Sequence, residues 1–247
     1  MLDIVIPMYN AMEYSQRCVN SIRSTLSGVP YKIHILNNGS TDGTGEWLAS
    51  LDGPDIDIQT SPVNVGAPKG KNIILSHMEP SDFVLFIDND IEFKETWYEP
   101  FFAFFQQHEE AGVVGIEGYN LVVHADHRDV HLVSGDSPQQ CDILRGCFMM
   151  VRGSLVQKLA PFDENCGMYW HDDDDFCIRA MAEGYRNYWL ATDKVFHYGS
   201  RSSATTYPDV RSPEESARVQ RYLVQKWRDM GLIGPDGRPK VGGSQEG

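Results

Sequence analysis

What the sequence lacks narrows it first. Its 247 residues contain no apolar run near the roughly 18 needed to cross a bilayer. Basic runs are missing too, and 21 Lys+Arg against 35 Asp+Glu give a formal net charge of −14. That balance argues against a nucleic-acid backbone as partner and against an electrostatic membrane anchor. The five cysteines form no CxxC pair and no zinc spacing. An odd count in an acidic chain fits free thiols in a reducing compartment, so a cytoplasmic location is expected. "MLDIVIPMYN" has neither a basic n-region nor a small-residue cleavage site, and reads as a first strand instead of a signal peptide. There is no GxGxxG, no Walker sequence and no GxSxG, which leaves nicotinamide, P-loop and α/β-hydrolase chemistries without support.

What is present alternates strand and helix. Residues 2–8, 31–37, 55–60 and 82–88 read as strands. Between them, Tyr14, Cys18, Ile22 and Leu26 repeat at helical spacing, 45–51 form a short helix, and 66–78 open a helix on Gly and Pro. Such alternation implies parallel strands with helical crossovers, an α/β sheet whose ligands sit beyond the carboxyl ends of the strands. Tyr9, Asn37, Asn38 and Asp88 fall at those ends. Further on, 95–112 reads as an aromatic helix and 172–185 as a helix with four acids in its first turn. Ser212-Pro213-Glu214-Glu215 is a capping box opening a last helix. No repeat or linker divides the chain. One compact domain is expected over 1–230, with a polar, Gly- and Pro-rich flexible tail at 231–247.

Two acidic clusters carry the chemistry. "FVLFIDNDIEF" ends a buried strand on Asp88 and Asp90, two apart and so on the same side of an extended backbone. Two such charges about 4 Å apart repel by roughly 4 kcal/mol at an effective dielectric of 20. A divalent ion between them would resolve this, and hard oxygen ligands suit Mg²⁺ or Mn²⁺. A DxD triplet alone is weak, because Asp and Asn are common in turns. The second cluster is "WHDDDDFCIR". Acids in a first helical turn gain about 0.3–1 kcal/mol each from the dipole, yet four in succession exceed that role and offer a general base. His197 alone would carry little weight.

Taken in order, these segments resemble family 2 glycosyltransferases of the GT-A fold. "IVIPMYN" is similar to the family's opening strand, "NNGSTDGTG" to its base-holding turn, and "NVGAPKGKN" to its N-x-G…A-R-N segment. "FIDNDIEF" is similar to the strand bearing its metal-binding DxD. Residues 162–200 resemble its FDE…ED-x-D…GY…H region. The match runs from about residue 2 to 200, and five motifs in order are specific where each alone is not. The H-x-G-x-x-S context of His197 resembles that of a branch with rhamnosyl- and galactofuranosyltransferases.

The resemblance implies a GT-A, Rossmann-like fold, a mixed, mainly parallel sheet flanked by helices. It also implies a nucleotide-binding half (1–115) and an acceptor-side half (116–230). Asp90 then matches the metal-coordinating acid, with Asp88 near ribose and metal and His197 a further ligand. Pro7, Tyr9, Asn37 and Asp42 match the base-binding set, joined by Asn10, Asn38, Gly66, Asn72 and Asn89 from the same motifs. Lys69 and Lys71 are candidates for phosphate contacts, and Gly146 and Cys147 for the donor-sugar pocket. Asp173 aligns with the catalytic acid, and Asp172 competes with it. The implied activity is metal-dependent inverting transfer, aided by Mn²⁺ or Mg²⁺, from a nucleotide-diphosphate sugar to a glycan or glycoconjugate hydroxyl. A UDP-sugar is the first expectation. Asn37-Asn38 replace the family's acidic pair, however, so dTDP- and GDP-sugars stay open. A catalytically inactive sugar-nucleotide-binding module and a metal-dependent nucleotidyltransferase are the alternatives.

Overall fold

A computed structural model describes residues 1–26, 28–199 and 212–242. The order is β1 (Leu2–Met8), α1 (Met12–Thr25), β2 (Tyr31–Asn38), α2 (Thr44–Ala49), β3 (Ile56–Ser61), α3 (Ala67–Leu75), β4 (Phe83–Ile87), β5 (Ile91–Phe93), α4 (Glu99–Gln107) and β6 (Ala111–Gly115). There follow β7 (Gly118–Val123), β8 (Arg128–Leu132), β9 (Gln139–Cys141), β10 (Ile143–Leu144), β11 (Phe148–Arg152), α5 (Gly153–Leu159) and α6 (Asp172–Ala182). Then come β12 (Arg186–Trp189), β13 (Val195–His197) and α7 (Pro213–Asp229).

The main sheet runs β3-β2-β1-β4-β11-β6-β12-β9. Its first four strands are parallel, as the alternating pattern requires, and β11 enters antiparallel between β4 and β6. Strand alternation divides the core between the two faces. Leu85 and Ile87 of β4 join Ile4 and Ile6 of β1 against α1 and α4, while Val84 and Phe86 face the layer of α5, α6 and α7. Two small sheets complete the fold: β10-β7-β8, and β13 paired antiparallel with β5 so that His197 lies opposite Ile91.

Three expectations need correction. The helix expected over 95–112 spans only Glu99–Gln107: Pro100 sits in its first turn and His108 closes it, while Ala111–Gly115 becomes a buried strand. Asp88 and Asp90 do not share one extended strand face, because a turn follows Ile87; Asp88 is exposed toward the cleft and Asp90 is buried. The segment from 231 is no free tail as far as Gly242. It pairs Ile233 with Pro239, accepts a bond from Val123 N–H on Gly237 O (2.8 Å), and donates Gly242 N–H to Met181 O (2.8 Å). Backbone bonds order it, which polar composition does not register. Residues 243–247, and the H-x-G-x-x-S context beyond Gly199, lie outside the described residues.

Candidate active site

The parallel strands end at one crevice. Asp88 N–H donates to Cys147 O at 3.2 Å, which sets the start of β11 beside the end of β4. The β5–β13 pairing adds His197, and Tyr198 N–H donates to Asp90 O at 3.0 Å. The first turn of α6 closes the far wall. The resulting cleft of about 420 Å³ is lined by Pro7, Tyr9, Asn38, Lys71, Asp88, Asn89, Asp90, Gly146, Cys147, Asp172, Asp173 and His197. All twelve are sequence candidates.

Six other candidates do not line it. Asn10 Oδ1 accepts from Thr41 N–H (2.7 Å), and Asn37 Oδ1 from Ser40 N–H (3.1 Å). Asp42 accepts from Met12 N–H and Thr44 N–H, both at 3.1 Å, tying the second turn to the start of α1. These three side chains build the loops at the strand ends. Gly66 O accepts from the Asn38 amide (3.3 Å). Lys69 is exposed outside the cleft, and Asn72 bonds Phe162 through both ends of its amide. Conversely, Glu117, Arg145, Tyr169, Trp170 and His171 line the cleft and were not foreseen. Arg145 was within reach, since it adjoins Gly146 in "LRGC". Glu117 had no signal, because β11 brings its loop into place only through long-range antiparallel pairing.

His197 Nε2 lies 3.2 Å from Asp90 Oδ1 and 4.0 Å from Asp88 Oδ2. One ligand atom from each of the three residues falls within 4.8 Å of the others. His197 Nε2 is buried without a hydrogen bond of good geometry. An orphaned buried nitrogen aimed at two carboxylates fits a cation there, and two carboxylates with one imidazole suit Mn²⁺ or Mg²⁺. The charges agree. The enclosing cleft, then the Asp90 charge, raise the Asp88 carboxyl. Burial would lower His197, yet Asp90 and Asp88 outweigh it and raise the imidazole.

The four acids of α6 are all buried, and each has a different partner. Asp172 Oδ2 accepts from Lys71 Nζ at 2.7 Å. Asp174 pairs with Arg128, whose guanidinium also reaches His171 Nδ1 at 2.7 Å. Burial would raise Asp174, but Arg128 and His171 hold it down near 2. Asp175 meets Arg179 (2.8 Å), Lys226 (2.8 Å) and Trp227 Nε1 (3.0 Å). Asp173 has no cation in direct contact among the described residues. It accepts Gly146 N–H on Oδ2 (2.7 Å) and Asp174 N–H on Oδ1 (2.9 Å). Burial first, then the charges of Asp174 and Asp172, push it up to about 6. A carboxyl so placed is suited to accept a proton near neutral pH.

Comparison with known proteins follows the same outline. The model of "Glycosyl transferase family 2" matches residues 3–131. The glycosyltransferase AglE of Haloferax volcanii is 27% identical over 103 residues, 40% of this chain and 33% of that protein. Among solved structures, S. aureus TarS 1–349 in complex with UDP-GlcNAc superposes with a TM-score of 0.64 at 20% identity, covering 90% of this chain and 65% of that one. The mannosyltransferase PcManGT from Pyrobaculum calidifontis, in complex with GDP-Man and Mn²⁺, gives 0.57 at 16% identity over 78% of this chain and 55% of that one. GalNAc-T7 with UDP, GalNAc and Mn²⁺ gives 0.65 at 11% identity, covering 80% and 43%. The chain thus spans a third of AglE and less than two thirds of each of these structures. These likenesses identify the fold as GT-A.

Proposed function

The chain belongs to glycosyl transferase family 2, and from that premise we propose that it moves a sugar, with inversion, from a nucleotide-diphosphate sugar to an acceptor hydroxyl. The observation that carries this reading is Asp173, a buried carboxyl raised to about 6, in the same cleft as the Asp88–Asp90–His197 group.

Asp88, Asp90 and His197 would hold Mn²⁺ or Mg²⁺. When bound, that ion supplies charge neutralisation for the departing diphosphate. Pro7, Tyr9 and Asn38 line the end of the cleft nearest β1 and β2, where the nucleotide base would lie. The amide of Asn38 is already engaged, its oxygen accepting Val65 N–H at 2.9 Å, so it shapes that end as much as it reads a base. Lys71 is the lysine of the pair that reaches the cleft, and it faces Asp88 as well as Asp172. Gly146 and Cys147 would underlie the donor sugar. Asp173, steadied by two backbone N–H groups, would take the acceptor's proton as its oxygen attacks the anomeric carbon from the face opposite the diphosphate. One base then suffices and no covalent intermediate forms. The nucleotide end comes from 1–115, the base and most of the acceptor wall from 116–230. AglE, TarS and PcManGT carry glycosyltransferase, UDP-GlcNAc and GDP-Man in their descriptions, which supports a nucleotide-sugar donor and leaves its base open.

The test is incubation with a panel of UDP-, dTDP- and GDP-sugars with and without Mn²⁺. Release of nucleoside diphosphate supports transfer. Pyrophosphate as product would mark a nucleotidyltransferase, and binding without turnover an inactive module.

A further inference from the structure

The tip of the β7–β8 hairpin carries a second group of ligand atoms. His124 directly follows β7, His127 directly precedes β8, and Asp129 is the second residue of β8. His124 N–H donates to His127 O at 2.8 Å and closes the turn. The two imidazoles stack at 4.5 Å between centroids and 16° between planes. His124 Nε2 lies 2.9 Å from Asp129 Oδ2, and one ligand atom from each of the three residues falls within 4.8 Å of the others. His127 Nδ1 is 2.8 Å from Asp126 Oδ1. A carboxylate on Nδ1 fixes the tautomer that leaves Nε2 as a lone pair, the usual outer partner of a metal-binding histidine.

We propose that His124, His127 and Asp129 form a zinc site on the outer face of the β7–β8 hairpin, with Asp126 orienting His127. Two imidazoles and one carboxylate are the donor set of a borderline metal, unlike the oxygen-rich set at Asp88 and Asp90 that suits Mg²⁺ or Mn²⁺. Turning one exposed ring out of the stack brings both in-plane lone pairs onto one ion, and three side chains with one position open to water then complete a tetrahedron. Charge permits a dication. Arg228 of α7 donates to His124 O at 3.0 Å and Arg221 of α7 acts on Asp126, but the carboxylates of Asp126 and Asp129 offset both. The site has a structural consequence, because alternation along β8 puts Asp129 outside and Arg128 inside. Arg128 is the buried cation that holds Asp174 and His171 in the first turn of α6. Zinc would therefore pin the hairpin that carries this arginine.

Zinc titration by calorimetry tests the site in the full chain carrying His197→Ala, which takes a ligand from both groups in the cleft, Asp88–Asp90–His197 and Glu117–Cys147–His197. We expect one equivalent of Zn²⁺ to bind. Adding His127→Ala should weaken binding at least about 100-fold, and adding Asp126→Asn about tenfold, the usual cost of losing an outer-sphere partner. These side chains are largely exposed, so the zinc-free variants should melt within a few degrees of their parent. The same zinc affinity after adding His127→Ala, or no zinc bound by the His197→Ala protein at micromolar concentration, overturns the site.

Discussion

Lys71 Nζ stands 2.7 Å from Asp172 Oδ2, and both side chains are buried. This pair joins α3 to the first turn of α6. It also separates the roles of two adjacent carboxylates. Asp172 is hydrogen-bonded to a full positive charge, whereas Asp173 takes its hydrogen bonds from backbone N–H groups, with Arg145 and Lys71 acting on it from further off.

Breaking the pair on one side leaves an uncompensated buried charge. Asp172→Leu or Lys71→Met alone should therefore destabilise the fold by about 3–5 kcal/mol. Replacing both partners, Lys71→Met with Asp172→Leu, should recover most of that loss. Urea denaturation of the two single variants and the double variant measures the coupling. Additive effects would show that the charges do not interact.

Asp173→Asn should keep the fold and lower transfer by about 10²–10⁴. In the native protein, activity should fall as pH drops through about 6, where the raised carboxyl gains its proton and can no longer accept one. The sign for stability is opposite. A folded-state value above the unfolded value of about 3.9 means the contribution is present at low pH and is lost as pH rises through about 6. Asp173→Asn should thus cost least, relative to wild type, at pH 8. The pH–rate profile and melting curves at pH 5 and pH 8 check both signs.

Gly146 packs against Asp173, the proposed base. An added Cβ would lie 3.3 Å from Asp173 Cβ and 3.4 Å from its Oδ2. The carboxyl must then move by a few tenths of an ångström. Gly146→Ala should lower kcat about tenfold with KM for the donor little changed, which steady-state kinetics reads directly.

Much of this architecture could be read from the chain, for local reasons. The parallel half follows from apolar runs alternating with helix signals, and the Ser212 cap is seen accepting Glu215 N–H at 3.1 Å. The acidic first turn of α6 was visible, but the partner of each acid was not. Arg128 comes from a distant hairpin and Lys226 from the last helix, and neither approach has a local signature. For the same reason Glu117 was missed. Asp88 and Asp90 were found by their setting at a strand end, yet the turn after Ile87 makes their burial unequal: their side chains are 56% and 3% exposed. Segment 231–242 was misread because its order comes from backbone bonds to β7 and α6.

His197 joins Asp88 and Asp90 in the proposed metal group only because β13 pairs with β5. His197→Ala should weaken Mn²⁺ binding at least about tenfold with the melting temperature nearly unchanged, since the ring is partly exposed. Titration with Mn²⁺ followed by electron paramagnetic resonance gives the affinity. An unchanged value would remove His197 from the ligand set.

The most direct measurement is the thermal shift of the native chain and of Asp90→Ala, each with the nucleotide-sugar panel, with and without Mn²⁺. The expected result is a shift for one nucleotide class, in the native chain only, that requires Mn²⁺. An equal shift in Asp90→Ala, or one indifferent to Mn²⁺, would contradict a cation held at the end of β4.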